Sequence, residues 1–213
     1  MTVMATEDLL ARWNTALTRC GASADPEPYG QELLRRWAEP QRRYHTTEHL
    51  RAVLDRVDEL AAHAADPDAV RLAAWFHDAV YRPDRSENEE RSAELAVRAL
   101  REAGLAEARI EQVARLVRLT LSHHPEPGDR DGEVLCDADL AILGAEPARY
   151  AAYAAAVREE YAFVPEPDFR AGRAAILRQL LALPALYRTP EAVARYDARA
   201  RANLAAELTA LEG

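Results

Sequence analysis

The sequence predicts an all-α protein, built as a single-domain helical bundle over residues 1–213. Apolar residues recur at i, i+3, i+4 and i+7 along most of the chain, which is the period of an amphipathic helix. No segment alternates convincingly with the period of two that a half-buried strand shows. The composition, with 49% apolar and 30% charged residues, is typical of a globular protein.

Each helix is predicted from its own apolar stripe, and the helix breaks are predicted where Pro and Gly cluster. The clearest stripes are Leu50, Val53, Leu54, Val57, Leu60 and Ala61; Ile110, Val113, Ala114, Val117, Thr120 and Leu121; Tyr150, Tyr153, Ala154, Val157 and Tyr161; and Val193, Tyr196, Ala200, Leu204 and Leu208. We expect breaks at 24–30, 81–86, 125–132, 164–167 and 183–190. Ser86 and Asn88 are N-cap residue types at the start of one predicted helix.

The charge and the cysteines limit the function classes. A net charge of −9 argues against a nucleic-acid scaffold, although a small phosphorylated substrate remains compatible because a bound metal can supply positive charge. Cys20 and Cys136 fit no metal or redox spacing, and the N-terminus lacks a signal-peptide pattern, so we expect a cytoplasmic protein. No apolar stretch approaches the ~20 residues that span a bilayer, so no membrane partner is expected.

Histidines and aspartates occupy positions on stripes that should otherwise be apolar. His49 precedes Leu50 at the edge of a buried face, and His45, four residues earlier, can reach the same side. His77 continues the buried series of Val70, Ala73 and Ala74, and Asp78 lies beside it near the helix end.

A third predicted helix adds Asp139, on a stripe with Leu135 and Ile142. A single buried His is usually a hydrogen-bonded core residue, and a single Asp is usually a helix cap. Two unpaired buried carboxylates would, however, cost several kcal/mol each, and one divalent metal shared with the histidines would satisfy them together. The pattern therefore favours a metal site.

The chain resembles the HD-domain superfamily of metal-dependent phosphohydrolases, whose signature is a His, a His-Asp pair and a distant Asp. The similarity covers roughly residues 42–208. The matching residues are Arg43-Tyr44-His45 with His49; Trp75-Phe76-His77-Asp78-Ala79-Val80-Tyr81; Asn88-Glu89 with Ser92-Ala93; Thr120 with His123; Asp137-Ala138-Asp139-Leu140 with Leu143-Gly144; Arg158-Glu159-Glu160-Tyr161; Gly172-Arg173; and Asn203-Leu204.

The resemblance implies a phosphodiesterase-like helical fold with a core at about 42–145, flanked by N- and C-terminal helical extensions. It implies one divalent transition metal (Mn, Fe, Co, Ni or Zn, with Mg also compatible) bound by four ligands: His49, His77, Asp78 and Asp139. The Ala-Asp-Leu match and the stripe both favour Asp139 over Asp137, which is interpreted as a helix cap or a residue that supports a ligand. His45 is a candidate general acid, or else a hydrogen-bond partner of a ligand.

Other positions are assigned with open alternatives. Glu89 could be catalytic, as a proton acceptor or by orienting a ligand, or could be a solvated surface acid. Family spacing favours His123 in the pocket, whereas the helical stripe favours His124; the one that faces the pocket would bind substrate phosphate or a second metal. Arg158 and Arg173 suit phosphate binding but could equally pair with nearby acids.

These assignments imply a hydrolase that cleaves a phosphoester, a nucleotide by resemblance, with metal-activated water and with Asp78 among the catalytic residues. A non-catalytic regulatory module that binds metal or nucleotide is the alternative, and an HD-fold iron oxygenase is a further one. The sequence leaves the native metal, the number of metals, the substrate and the choice between mono- and diesterase open. The Ala-rich final helix, 190–211, could pack on the core or on a partner subunit in a homodimer.

Overall fold

The computed structural model describes residues 3–213, with side chains from Thr6 onward, and these residues form an all-α fold in which no strand occurs. A 3₁₀ turn spans Ala141–Gly144, and a π turn spans Val193–Asp197. The helices are α1 (Val3–Arg19), α2 (Glu27–Trp37), α3 (Thr47–Leu60), α4 (Pro67–Phe76), α5 (Asn88–Glu102), α6 (Glu107–Leu119), α7 (Arg130–Leu140), α8 (Pro147–Glu160), α9 (Glu166–Ala182), α10 (Pro190–Ala192) and α11 (Ala198–Glu212).

Helix α4 lies at the centre of the fold and packs against α1, α3, α5, α6 and α7. Leu72, Trp75 and Phe76 are fully buried in it, as are the two alanines between them. A helix that is apolar on nearly all sides must be surrounded by other helices, which explains its position. The ring of Trp75 meets that of Trp13 of α1 edge-on, with the ring centroids 5.3 Å apart.

The three helices that carry the predicted site residues each begin with a side-chain cap. Thr46 accepts from the backbone N–H of Glu48 ahead of α3, and Asp66 accepts from that of Ala69 ahead of α4. Asp129 does the same for α7. Each cap satisfies one of the N–H groups that a helix start leaves unpaired, and so fixes where the helix begins.

The predicted stripes are mostly confirmed, with two corrections. Leu50, Val53, Leu54, Val57 and Leu60 are all buried along α3. Leu121 and Val193, by contrast, are 69% and 43% exposed. Helix α6 ends at Leu119, before Leu121, and Val193 lies in the π turn, where the helical period is not kept. In both cases the apolar period of the sequence continues beyond the residues that form the regular helix.

The predicted break at 24–30 is too long, because α2 already begins at Glu27. Gly30 lies within this helix, where a Cβ atom would come within 2.5 Å of the ring of Trp13. This glycine permits close packing instead of ending a helix. Asn88 is not an N-cap either: its amide hydrogen-bonds the backbone of Arg82 and Arg85 in the preceding loop.

The final helical segment packs on its own chain. Ala200 and Leu204 are fully buried, and α11 lies against α9 and the 3₁₀ turn. Asn203 donates to the backbone oxygens of Leu143 and Ala145, which fastens α11 to the end of the 3₁₀ turn. Among residues 3–213, none of the helices combines the length and the hydropathy that a bilayer-spanning segment needs.

Candidate metal centre

Four of the predicted site residues meet where α3, α4 and α7 come together. His49 lies in the first turn of α3, with its side chain only 4% exposed. His77 and Asp78 directly follow the last residue of α4, and Asp139 lies in the last turn of α7. These helices pack against one another, so residues far apart in sequence converge in the interior.

The convergence brings ligand atoms within a few ångströms of each other. The Nε2 atoms of His49 and His77 are 3.3 Å apart. Asp139 Oδ1 lies 3.0 Å from His49 Nε2 and 3.6 Å from His77 Nε2. One ligand atom from each of these three residues falls within 4.8 Å of the others, which is the geometry of a group that could hold a metal ion. Asp78 Oδ2 borders this group, 3.2 Å from His77 Nε2.

The hydrogen bonding of His77 shows why a cation fits among these atoms. Its Nδ1 lies 2.8 Å from the backbone oxygen of Ala74, which can only accept, so Nδ1 carries a proton. In neutral His77, Nε2 then has a lone pair directed at carboxylate oxygens of Asp78 and Asp139, which are also acceptors. Such a set needs a proton or a metal ion at its centre.

The electrostatics of the cluster agree with this imbalance. Burial lowers the pKa of His77, but Asp78 and Asp139 outweigh it and hold that pKa well above its ordinary value. Burial raises the pKa of Asp139, yet His77, His123 and His49 hold it well below its usual range. The site thus attracts positive charge, and a divalent cation can replace the shared proton because metal ligands bind in their deprotonated forms.

His45 lies beside this cluster and is held by a buried acid, Glu160. His45 Nδ1 is 2.6 Å from Glu160 Oε2, while Nε2 faces Asp78 Oδ2 at 3.9 Å. Burial lowers the pKa of His45, but Asp78 and Glu160 more than compensate and leave it raised. About one fifth of the His45 side chain is exposed, so an outside molecule can reach it.

The role of Glu160 was missed in the sequence. The other oxygen of Glu160 accepts the backbone N–H groups of Arg43, Tyr44 and His45, and the Tyr81 hydroxyl donates to Oε2. The signal was available: Glu160 follows the buried Val157 by three residues, on the inner face of α8.

A second residue that was not predicted, Arg42, joins two segments of the site. Its guanidinium is fully buried and donates to the backbone oxygens of His45 and Asp78, at 3.1 and 2.8 Å. The charge also lies 5.4 Å from the ring centres of both Trp37 and Tyr81. Arg42 therefore fixes the backbone on either side of the cluster without touching the ligand atoms.

The structure places His123, and not His124, at the site. His123 Nε2 lies 2.7 Å from Asp139 Oδ2, whereas His124 is exposed. The stripe that favoured His124 does not continue past Leu119, where α6 ends. His123 has a φ of 49°, a left-handed conformation that costs free energy in a non-glycine residue and directs its ring toward Asp139.

Other predicted residues lie in different surroundings. Arg158 pairs with Glu166 and with the backbone oxygens of Tyr161 and Val164, so its donors are used within α8, its C-terminal turn and the start of α9. Arg173 is 9% exposed and pairs with Glu207. These contacts match the alternative reading of ion pairing and give no support for phosphate binding by either arginine, because their donors already have partners.

Glu89 and Asp137 are the two remaining carboxylates for which the sequence predicts a candidate role. Glu89, in the first turn of α5, is half-buried and shows no side-chain hydrogen bond to any described residue, so a catalytic role for it stays a prediction. Asp137 accepts the backbone N–H groups of Arg188 and Thr189, which holds the segment before α10. Asp137 therefore supports a backbone segment, and none of the described contacts joins it to a proposed metal ligand, which differs from the helix-cap or ligand-supporting role expected from the sequence.

A cavity of about 520 Å³ opens beside the cluster, with His49 and Asp139 in its wall. The ring of Tyr44 lies in the same wall, with its centre 4.7 Å from that of His49. Residues of α3, the 3₁₀ turn, α8, the π turn and α11 form the remaining sides. A small molecule in this cavity would lie against the candidate metal ligands.

The all-α fold and the buried His/Asp cluster define a helical protein with a candidate site for a divalent metal. The family model described as HD domain matches residues 46–154, just over half of the chain, and the chain belongs to this family. His49, the His77-Asp78 pair and Asp139 all fall within the match. No curated protein and no solved structure matches the chain significantly.

Proposed function

We propose that the protein is a metal-dependent phosphohydrolase that cleaves a phosphoester of a small molecule, a nucleotide by family resemblance. The observation that carries the proposal is the pairing of two features in one place. A cluster of acceptors that needs a cation lies next to His45, an accessible histidine held in one orientation by Glu160.

The proposed ligands are His49, His77, Asp139 and, at the border of the group, Asp78. Their mixture of imidazole and carboxylate donors suits Mn, Fe, Co, Ni or Zn, and Mg is also compatible. When bound, such a metal supplies a Lewis acid for a phosphoryl oxygen and a water whose pKa is lowered toward ~7.

The contribution of the chain itself centres on a proton at His45. Hydrolysis forms a bond between a water oxygen and phosphorus and breaks the bond to the leaving oxygen, which then needs a proton. Glu160 accepts from Nδ1 of His45, which leaves Nε2 directed at the cluster. A protonated Nε2 can donate to the leaving oxygen, and the raised pKa of His45 favours that protonated form.

The test is a turnover screen of metal-free protein resupplied with Mn, Co, Ni, Mg or Zn. The substrates are nucleoside mono-, di- and triphosphates, cyclic nucleotides and a chromogenic phosphodiester. The chain offers a matched control, because His63 also pairs with a glutamate, Glu133, at 2.6 Å and lies outside the site. His45→Gln should lower turnover about 10²–10⁴-fold without loss of metal, whereas His63→Gln should retain it.

Equal losses in the two histidine variants would contradict the role of His45. An absence of turnover with every metal, despite tight metal binding by the wild-type protein, would contradict the hydrolase and favour a metal- or nucleotide-binding regulatory module. Optical spectra of anaerobically purified protein would separate both from an iron oxygenase.

A further inference from the structure

The cavity beside the metal centre is rich in arginine. Its lining contains three acidic residues, Glu48, Asp139 and Glu146, and a larger number of guanidinium groups. The arginines in the lining are Arg43, Arg56, Arg149, Arg195 and Arg199. Arg43 and Arg199 are paired with Glu159 and Glu146, so the charges that bear on an anionic ligand are those of Arg149, Arg56 and Arg195.

Arg149 is the clearest member of this set, because its charge is not used by the protein. It lies in the first turn of α8, exposed, and its side chain has no hydrogen bond or ion pair with any residue from 6 to 213. Its charge lowers the pKa of Tyr44, although burial is the dominant influence and raises that pKa. Arg149 therefore lies on the side of the cavity where Tyr44 packs against His49.

Arg56 and Arg195 form a second point of excess charge, because they share one carboxylate. Glu59 Oε2 accepts from Arg56 Nη1 at 2.6 Å and from Arg195 Nη1 at 2.8 Å. Arg56 also donates to the hydroxyl of Tyr196. Two guanidinium groups with a single acidic partner leave one positive charge available to a ligand in the cavity.

The local backbone brings the π turn against this cavity. Gly144 packs so closely on it that an added Cβ would lie 2.8 Å from Cα of Tyr196 and 2.9 Å from its oxygen. Only glycine permits this approach, which places Arg195 and Tyr196 in the cavity wall. π turns occur frequently at functional sites, and this one lies beyond the part of the chain that matches the family.

We propose that these arginines form a second anion site, so that the substrate carries at least two phosphate groups. One phosphate would lie at the metal centre, and the other at Arg149 or at the pair of Arg56 and Arg195. His49 and Arg56 are seven residues apart on α3, about two turns or 10 Å along the helix. The inference rests on the proposed function for the phosphate at the metal centre and adds the substrate class.

The test compares two probes that differ by one phosphate, adenosine 5′-monophosphate and adenosine 3′,5′-bisphosphate. Their dissociation constants are measured by calorimetry on the full-length metal-loaded protein. The wild-type protein should prefer the bisphosphate by roughly tenfold or more, because each hydrogen bond to a charged group contributes measurably to affinity. Arg149→Ala or Arg195→Ala should remove most of that preference, according to which of the two points holds the second phosphate.

Arg178→Ala is the matched control, because Arg178 is exposed and pairs with Glu212 on the surface, outside the cavity. It removes the same charge and should keep the wild-type preference. Arg149→Ala should fold normally, since its side chain makes no hydrogen bond or ion pair with residues 6–213, and equal thermal unfolding temperatures of the three variants would establish this. The proposal is overturned if Arg149→Ala and Arg195→Ala keep the preference, or if Arg178→Ala loses it equally.

The test of the anion site and the test of the proposed hydrolase can fail independently of each other. Suppose that Arg149→Ala loses the bisphosphate preference and that no metal form of the protein hydrolyses a phosphoester. This result would support the anion site and contradict the hydrolase. Suppose instead that the wild-type protein hydrolyses a phosphoester and that all three variants keep the preference for the bisphosphate. This result would support the hydrolase and contradict the anion site.

Discussion

Helix α7 carries the buried Asp131 near its start and the half-buried Asp139 in its last turn, and these two carboxylates have opposite surroundings. Near the start, Asp131 accepts the backbone N–H groups of Ala65 and Asp66 and the side-chain N–H of Gln112, at 2.7–2.8 Å. Near the end, Asp139 faces three histidine nitrogens, one of which, His77 Nε2, has no proton in the neutral ring.

The difference shows that a buried carboxylate does not by itself indicate a metal site. The N-terminal end of α7 has as many donors as its acid needs, so it holds the fold together and requires no further partner. The group of Asp139, His77 and Asp78 has more acceptors than donors, so it requires a proton or a cation. Substitutions in the balanced and the unbalanced cluster should therefore have different effects on metal binding and on stability.

The largest effect, a loss of metal-dependent turnover, is expected from a substitution of Asp139 in the unbalanced cluster. Asp139→Asn removes a proposed ligand and should lower metal-dependent turnover at least about a thousandfold, since a bound metal contributes several kcal/mol to such reactions. In chelator-treated protein the same change should also lower the free energy of unfolding, because a neutral amide loses the attraction of the histidines that holds the pKa of Asp139 low. Turnover assays and urea denaturation measure the two quantities. Wild-type turnover in the folded variant would contradict the contrast.

Glu160 provides the second test, because it is a balanced acid beside the unbalanced cluster. Burial raises its pKa, but His45 and the backbone N–H groups of Arg43 and His45 lower it from 4.5 to about 2. A pKa that is lower in the folded state stabilises the fold above the unfolded value, and that contribution is lost as the pH falls from 4.5 toward 2. The full contribution is about 3 kcal/mol.

Glu160→Gln should therefore unfold about 3 kcal/mol more easily at pH 7, and its stability should depend less on pH between 4.5 and 2. Urea denaturation at several pH values measures both effects. Metal affinity, measured by competition with a chelator, should stay within about tenfold of the wild type, because Glu160 contacts none of the proposed ligand atoms. Wild-type pH dependence in the variant would contradict the assignment.

Asp131→Asn is expected to have a smaller effect, confined to stability. The amide keeps an oxygen for the N–H groups of Ala65 and Asp66, but its NH₂ group would meet the NH₂ group of Gln112. One lost hydrogen bond and one unsatisfied donor should cost about 2 kcal/mol of unfolding free energy. Metal affinity should not change, and a loss of metal would show that the two ends of α7 are not independent.

The sequence was sufficient for the fold class and for the meeting of His49, His77 and Asp139. Regular stripes determine which face of a helix is buried, so polar residues on those faces must converge. The inward position of Glu160 follows from its spacing to the buried Val157, but the groups that it contacts, and the cavity arginines, could not be predicted, because they depend on how α8 and the π turn lie against α3. Between His123 and His124, the helical stripe pointed to the wrong residue, because a stripe does not indicate where its helix ends.

The smallest effect is expected from His63→Gln. This variant shows whether the role of His45 depends on its pairing with a glutamate or on its position beside the metal cluster. His63 and His45 each pair with a glutamate at 2.6 Å, so pairing alone cannot distinguish them. His63 belongs to the balanced end of α7 through Glu133, and both partners are partly exposed, so the loss should be no more than about 1 kcal/mol. Turnover and metal affinity should remain at the wild-type level, as measured beside His45→Gln. If His63→Gln lost activity while remaining folded, proximity to the acceptor cluster would no longer explain the role of His45.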